Sequence, residues 1–267
     1  MTAVPKVLSI AGTDPSGGAG IQGDLKTFSA LGGYGMAVIT GLVAQTTTGV
    51  REILAVPAAF VRTQLDTLLT DVPADAVKIG MLGEASVVHA VAEALDRFSP
   101  PFVVLDPVMV ATSGDRLLAA DAVAALREVL VPRADLITPN LPEAADLLGD
   151  RQATGVAEMH EQVRRLHALG ARRVLLKGGH LDDGTCVDVF SAGEGSIEIA
   201  APRVATPHTH GTGCTLSSAI ATLRPRHTDW LTAAREAKDY LTGALRAADT
   251  LHVGHGRGPV HHFHALW

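Results

Sequence analysis

The chain has 267 residues, 47% of them hydrophobic and only 4% aromatic, with a formal net charge of −6. That length and apolar content bury a sizeable core, in one large domain or two small ones. The acidic balance and the lack of any basic run exclude a nucleic-acid surface, and no stretch reaches the roughly 20 apolar residues that a membrane span needs. The opening residues, Met1–Pro5, lack the basic region of a signal peptide. The only cysteines, Cys186 and Cys214, make no disulfide framework and point to a reducing cytoplasm.

Strand-like and helix-like stretches alternate. KVLSIAG is an apolar strand running into a glycine turn. GDLKTFSALG predicts a helix, with Leu25, Phe28 and Leu31 at helical spacing and Gly32–Gly33 to stop it. YGMAVITGLVAQ is strand-like, and AAFVRTQLDTLLTDV returns to helical spacing at Phe60, Leu65, Leu68 and Leu69. AVKIGML reads as a short strand, EASVVHAVAEALDRF as a helix, and FVVLDPVMV as an apolar strand that breaks at Pro107. AADAVAALREVLVPRA is a helix, DLITPN a strand, and LPEAADLLG a helix with Pro142 in its first turn. VAEMHEQVRRLHALG is a helix closed by Gly170, RRVLLKGG a strand, and TCVDVFSAGEGSIEIAAP a hairpin. Two helical patterns follow, near Thr215–Leu223 and Trp230–Leu251. This alternation predicts an α/β fold with a mostly parallel central sheet flanked by helices on both faces. No linker, repeat or low-complexity tract divides the chain, so residues 1–267 read as one domain.

The motifs collect where strands end and helices begin, the edge at which open α/β sheets bind ligands. AGTDPSGGAGIQGDLKTF crosses the first such edge, and Gly17, Gly18 and Gly20 would let backbone approach a ligand closely. Its spacing fits neither the dinucleotide fingerprint nor the P-loop, and an ordinary glycine turn explains it equally well. LVAQTTTG sets Gln45 and three threonines at a strand end. The amide offers a heterocycle edge a donor and an acceptor, although a solvated polar loop is the plainer reading. VVLDPVM ends in Asp106, suited to a metal or its water, or simply to a turn before Pro107. ITPNLPEA sets Asn140 and Glu143 three apart, a spacing for a hydrated Mg2+ or for helix capping. VLLKGGH places Lys177 before two glycines, as a phosphate clamp or a surface lysine. HGTGCTLSSAIA leads a glycine turn into an apolar helix, and its backbone N–H groups suit a phosphate. Cys214 falls near that helix N-terminus, where the helix dipole lowers a thiol pKa; the alternative is a small residue packing helix on sheet. The tail carries His261, His262 and His264 with no carboxylate or cysteine beside them, so packing or an interface explains them better than a metal.

Taken together, SIAGTDPSGGAGIQGDLKTFSALGGYG, VAQTTTGV, KIGML, VLDPVM, LITPNLPEA, LLKGGH and THGTGCTLSSAIA resemble the hydroxymethylpyrimidine/phosphomethylpyrimidine kinase family of thiamine biosynthesis. The match runs in order from Val7 to the C-terminus, where GPVHHFH resembles the tail of bacterial members. The resemblance implies a ribokinase-like three-layer fold, a homodimer, and two successive phosphorylations by ATP. The first acts on the alcohol of 4-amino-5-hydroxymethyl-2-methylpyrimidine, the second on its monophosphate. It implies that Gln45 reads the aminopyrimidine edge while Gly12, Ala19, Asp24, Val43, Met81 and Val108 shape the pyrimidine pocket. Lys177, Thr212 and Asn140 would serve ATP, and Asp106, Asn140 and Glu143 the Mg2+ and its waters. Gly211, Gly213 and Cys214 would form an anion hole, with Cys214 where related sugar kinases carry a catalytic Asp. The chain departs from the family pattern at His208, where Asn is common, which bears on local loop contacts.

Two other readings compete. A pyridoxal kinase shares the superfold and also acts on a ring with a hydroxymethyl arm; Gln45 and Met81 favour the pyrimidine. A non-catalytic pyrimidine-binding protein would not need Lys177, Asn140 and Glu143 together. A dehydrogenase lacks its fingerprint.

Overall fold

The computed structural model describes residues 4–110, 118–179 and 184–267; Met1–Ala3 and His180, the end of VLLKGGH, lie outside them. The strands among the described residues form one sheet in the order β3-β2-β1-β4-β5-β6-β7-β8-β9. They are β1 (Lys6–Gly12), β2 (Tyr34–Thr46), β3 (Gly49–Ala55), β4 (Ala76–Ile79), β5 (Val103–Leu105), β6 (Leu136–Ile137), β7 (Val174–Leu176), β8 (Thr185–Ser191) and β9 (Ile197–Pro202). The central run from β2 to β7 is parallel, and β3, β8 and β9 close the two edges antiparallel. The helices are α1 (Gly20–Ala30), α2 (Ala58–Asp71), α3 (Ala85–Phe98), α4 (Ala120–Ala125), α5 (Leu141–Leu148), α6 (Val156–Ala168), α7 (Thr212–Leu223) and α8 (Trp230–Arg246).

Helices cover both faces because the central strands are apolar on both. In β5, Val103 and Leu105 enter one core cluster while Val104 enters the other; Val174, Leu175 and Leu176 of β7 divide the same way. The first cluster packs under α2 to α6, around Leu65, Val91, Leu147 and Val163. The second packs under α1, α7 and α8, around Phe28, Leu216, Ile220 and Ala237. Each large aliphatic side chain taken fully out of water contributes about 1.5–3 kcal/mol.

One polar network interrupts the second core. Lys78 of β4 donates to both carboxylate oxygens of Asp24 on α1, at 2.8 and 2.9 Å. Ser9 of β1 and Ser218 of α7 also donate to Asp24, at 2.5 and 2.7 Å. All four residues are fully buried.

Several local expectations need correction. The polar stretch after Gln45 is not a simple loop: it is the turn of a hairpin whose return strand is β3. FVVLDPVMV and DLITPN yield only the short strands β5 and β6, since Pro107 and Pro139 carry no N–H to extend the ladder. The fourth helix widens into a π-helical turn at Leu126–Leu130. In α2 the buried stripe is Val61, Leu65 and Leu69, and Phe60 points outward.

Candidate active site

A cavity of about 620 Å3 opens along the C-terminal ends of the parallel strands. Its wall follows the sheet order. Val43 and Gln45 come from β2, Gly12 from β1, Lys78 and Met81 from β4 and the loop after it, and Asp106 and Val108 from just after β5. Asn140 and Glu143 follow β6, Lys177 follows β7, and Cys186 and Asp188 lie on β8. The turn into α7, from Thr209 to Cys214, runs across the middle.

At the β1–β2 end the wall is formed by Gly12, Val43, Gln45 and Met81. A Cβ at Gly12 would meet the Met81 methyl, which would have to turn aside. Ala19 and Val108 complete the lining, and the glycine loop is held by one carboxylate. Asp14 accepts from the N–H groups of Ser16, Gly18 and Ala19 and from the imidazole of His210 at 2.7 Å. Burial raises the Asp14 carboxyl, but hydrogen bonds from His210, Ser16 and Gln45 outweigh it and hold it well below the usual carboxylate range. Gln45 thus already touches the carboxylate that shapes the loop.

Gly211 is the N-cap of α7 with φ 81, and a side chain there would also overlap the Gly18 carbonyl. The glycine loop and the α7 turn therefore touch backbone to backbone. Behind Gly211 no side chain caps α7, and the Thr212 N–H makes only a long bond, 3.4 Å, to the Thr209 carbonyl, so the first turn suits an anion.

Lys177 sits over that opening. Its Nζ donates to Asp106 Oδ1 at 2.8 Å and lies 3.8 Å from Glu143. It is also 3.1 Å from where a Cβ on Gly213 would project. Burial opposes the Lys177 charge, but Asp106 and Glu143 outweigh it and raise its pKa. Burial likewise opposes the Asp106 charge, and Lys177 with Lys78 overrides it to keep Asp106 ionised. Glu143 goes the other way: burial, joined by the Asp106 charge and opposed by Lys177, pushes it up to about 7. Asn140 and Glu143 form a capping box on α5, with bonds of 2.7 and 2.8 Å, so the capping reading of that spacing is realised.

Two sequence expectations fail here. Asp24 does not line the cavity; it is fully buried behind it, bound to Lys78, Ser9 and Ser218. The Cys214 thiol is not depressed: burial pushes it up to about 11, against the pull of Lys78. The thiol sits in the first turn of α7, yet loss of water outweighs the helix end. The other expected lining residues, Gly12, Ala19, Val43, Gln45, Met81, Val108, Asp106, Asn140, Glu143, Lys177, Gly211, Thr212, Gly213 and Cys214, all fall in the wall.

Other residues were not foreseen. Asp14, His210, Lys78 and the Lys238–Asp188 pair (2.6 Å) also line the cavity. Their signal in the sequence is a charge inside an apolar run: Lys78 in AVKIGML and Asp188 in TCVDVFS. The histidine tail packs, as expected. His262 touches Thr215 of α7 and accepts Tyr240 through its carbonyl, and His264 lies beside the Tyr240 ring. His208 accepts from Gly258 at 3.1 Å, tying the α7 turn to that tail.

An ammonium beside two carboxylates over an open helix N-terminus, at the ligand edge of a parallel sheet, defines a phosphoryl-transfer site of a small-molecule kinase. The comparisons give the particular family. The chain belongs to the phosphomethylpyrimidine kinase family, which it matches over residues 14–261. It is 59% identical to the hydroxymethylpyrimidine/phosphomethylpyrimidine kinase of Escherichia coli strain K12, over 97% of this chain and 98% of that one. The enzyme of the same description from Rhizobium meliloti is 51% identical over 100% and 99%. Among solved structures, a Bacillus subtilis pyridoxal kinase with ADP superposes with a TM-score of 0.90 at 36% identity, over 97% of this chain and 98% of that one. A Clostridium difficile phosphomethylpyrimidine kinase superposes at 0.79 and 38% identity, over 90% and 99%. The fold is the ribokinase-like three-layer one.

Proposed function

We propose that this protein uses ATP to phosphorylate 4-amino-5-hydroxymethyl-2-methylpyrimidine and then its monophosphate, in the synthesis of thiamine diphosphate. The observation that carries the reading is the order of groups along one cavity. Gly12, Val43 and Met81 with the Gln45 amide lie at one end, an uncapped helix N-terminus in the middle, and a lysine flanked by carboxylates beyond it. Family membership and the E. coli relative support the same assignment.

In the first transfer the hydroxymethyl oxygen bonds to the γ-phosphorus as the bond to the β-phosphate oxygen of ADP breaks, its electron pair leaving with ADP, and the hydroxyl proton passes to the transferred phosphate or to water. Gln45 orients the ring by a donor and an acceptor, within the wall of Gly12, Ala19, Val43, Met81 and Val108. Lys177 and the N–H groups of Thr212, Gly213 and Cys214 hold the transferring phosphate, with Gly211 keeping the turn open. A neutral Cys214 thiol is not the base, and a loose transition state needs little base strength.

The residues present fit Mg2+. Asp106 and Glu143 share one ammonium, and their mutual repulsion raises Glu143, a cost that a divalent cation would relieve. No cluster of three or more His, Cys, Asp or Glu forms a cage among the described residues, in keeping with an ion that retains waters and substrate phosphates. Asp106 and Glu143 would hold it, with Asn140 positioning Glu143, and when bound it would shield the ATP phosphates.

One nine-stranded sheet supports treating residues 1–267 as a single kinase domain. The homodimer belongs to the proposal too. Exposed Leu42 and Leu54 face each other across β2 and β3, and exposed Phe60 follows on α2, an apolar face for a second copy. Free thiols and the lack, among the described residues, of a helix able to cross a membrane agree with a cytoplasmic site. The superposition on pyridoxal kinase keeps pyridoxal as a second acceptor to test. ADP release would be measured with the hydroxymethylpyrimidine, its monophosphate and pyridoxal side by side. Turnover on both pyrimidines is expected; preference for pyridoxal would overturn the reading.

A further inference from the structure

The turn into α7 is tied to the rest of the cavity through the residue just before Gly211. The main chain of His210 is fixed by the C-terminal tail: its N–H donates to the Gly258 carbonyl at 3.0 Å and its carbonyl accepts from the Val260 N–H at 3.4 Å. The side chain reaches the other way. Its imidazole Nε2 meets Asp14 Oδ2 at 2.7 Å, and both residues are buried. The ring also lies against the glycine loop, since a Cβ on Gly18 would come within 2.5 Å of it.

Asp14 stands where the glycine loop leaves β1. Its Oδ1 accepts from the N–H and hydroxyl of Ser16 at 2.9 and 2.7 Å. Its Oδ2 accepts from the N–H groups of Gly18 and Ala19 at 3.0 and 2.8 Å, beside the bond to His210. An ionised carboxylate only accepts, so Nε2 of His210 carries the proton and donates it to this bond. Gln45 donates to the same carboxylate from the wall at the end of β2. One group is therefore bonded to the amide at the ring wall, to the backbone of the glycine loop and to the residue that leads into Gly211. A lock serving stability alone needs no ionised group, because well-packed apolar side chains of similar volume would hold two loops as well.

We propose that Asp14 and His210 are a positioning pair that sets the reach between the ring held at Gln45 and the first turn of α7, and so governs phosphoryl transfer rather than the affinity for either substrate. The inference rests on the kinase reading above and deepens it. In the transfer the acceptor oxygen must meet the γ-phosphorus in line with the departing ADP oxygen. The ring is placed by Gly12, Val43 and Gln45, and the phosphate by the turn at Gly211–Cys214, from opposite ends of the chain. The pair joins them in two short steps, carboxylate to imidazole and then His210 to Gly211, whose φ of 81 fixes the direction of the turn. Without the bond the two loops still pack through Gly18 and Gly211, but the register between ring and phosphate is loosened. A misplacement of about 1 Å between reacting groups costs on the order of 100-fold in rate.

The test compares His210→Phe, which keeps a ring against Gly18 but removes the N–H, with His210→Gln, whose amide brings a donor to the place of Nε2. kcat and both KM values are measured with the hydroxymethylpyrimidine and ATP, as ADP release. Calorimetric titration with the pyrimidine gives the fraction of sites that bind, and circular dichroism with thermal melting checks the fold. For His210→Phe the expected result is a fall in kcat of about 100-fold, with both KM values within about threefold and nearly every site still binding. His210→Gln should bring kcat back to within about tenfold of the wild type. A purely structural lock gives another pattern: kcat falls only as far as the fraction of binding sites falls, or the pyrimidine KM rises while kcat holds. Either overturns the proposal, as does a His210→Gln enzyme no faster than His210→Phe. If His210→Phe does not fold, His210→Asn, whose shorter amide falls short of Asp14, takes its place against the same outcomes. Pyridoxal is run as a further acceptor, because the effect depends on the path between the two loops and not on the ring. A wild type that turns over pyridoxal and neither pyrimidine overturns the functional reading, and the same variants then decide the role of the pair with pyridoxal.

Discussion

Cys214→Asp separates the two transfers. The thiol stands in the first turn of α7, half-buried, and loss of water pushes it up to about 11 against the pull of Lys78. At neutral pH it carries no charge. A carboxylate in its place faces a neutral acceptor in the first step and a phosphate in the second. Two unit charges about 4 Å apart interact by roughly 4 kcal/mol at an effective dielectric of 20. At about 1.4 kcal/mol per factor of ten, that slows the second step by roughly 10^3. The first step has no such repulsion, and the carboxylate can take the alcohol proton, so it should stay within about tenfold. Cys214→Ser is the control: a neutral hydroxyl should lower both steps by a similar, small factor. The assay is kcat/KM for each acceptor at saturating ATP, read as ADP release. Equal slowing of both steps by Cys214→Asp would refute charge avoidance as the reason for the thiol.

Gln45→Ala should weaken pyrimidine binding by about 10- to 100-fold while leaving ATP binding within a few-fold, checked by calorimetry, because the ring loses its paired partners. Lys177→Ala should lower kcat far more than it raises the pyrimidine KM; steady-state kinetics with a normal kcat would contradict it. Leu65→Ala, at a fully buried position of the α2 face, should cost about 2–5 kcal/mol in urea unfolding. His262 is held down to about 3, first by burial and then by the Lys26 charge. In the unfolded chain it binds a proton near its ordinary value of about 6.5, so stability is lost as pH falls from about 6.5 toward 3. Melting temperatures over that range should fall less for His262→Gln than for the wild type.

The alternation of strands and helices was legible because the central strands are mostly apolar and the helices carry apolar stripes. β3 was not legible, because every residue of REILA in it is exposed and no buried face produces an alternation. Only its pairing with β2 makes it a strand. The π-helical turn at Leu126–Leu130 leaves the apolar spacing of the fourth helix intact and so gives no sequence signal. In the site, glycine turns and strand ends pointed to the correct edge of the sheet. Pairings across the chain did not show: Lys78 finds Asp24 across 54 positions, and His210 finds Asp14 across 196. Asp24 was assigned to the pocket by resemblance, and its burial behind Lys78 depends on α1 packing against α7. The thiol was misjudged in direction because a helix end is visible in sequence whereas the loss of water around a side chain is not.

The functional groups are scattered from residue 12 to residue 214 in the chain, yet they stand in nearly their sheet order in space. That follows from the topology. After β2 the chain returns through β3 and α2 to the far side of β1, and from β4 onward every new strand is laid one step further out. The Gly12–Gln45 wall, the carboxylates of Asp106 and Glu143, and Lys177 therefore follow one another along the sheet, each carried by the strand that reaches that point. α7 breaks the order. It comes late in the chain and lies across the sheet, packed against α1 and close to β4 and β5. Its first turn can reach acceptor and donor groups together only from that position. The glycine loop after β1 is locked to this turn by the Asp14–His210 bond and by the contact of Gly211 with Gly18. A displacement of the loop by the pyrimidine would therefore be felt at the N–H groups that receive the phosphate, with no hinge between them.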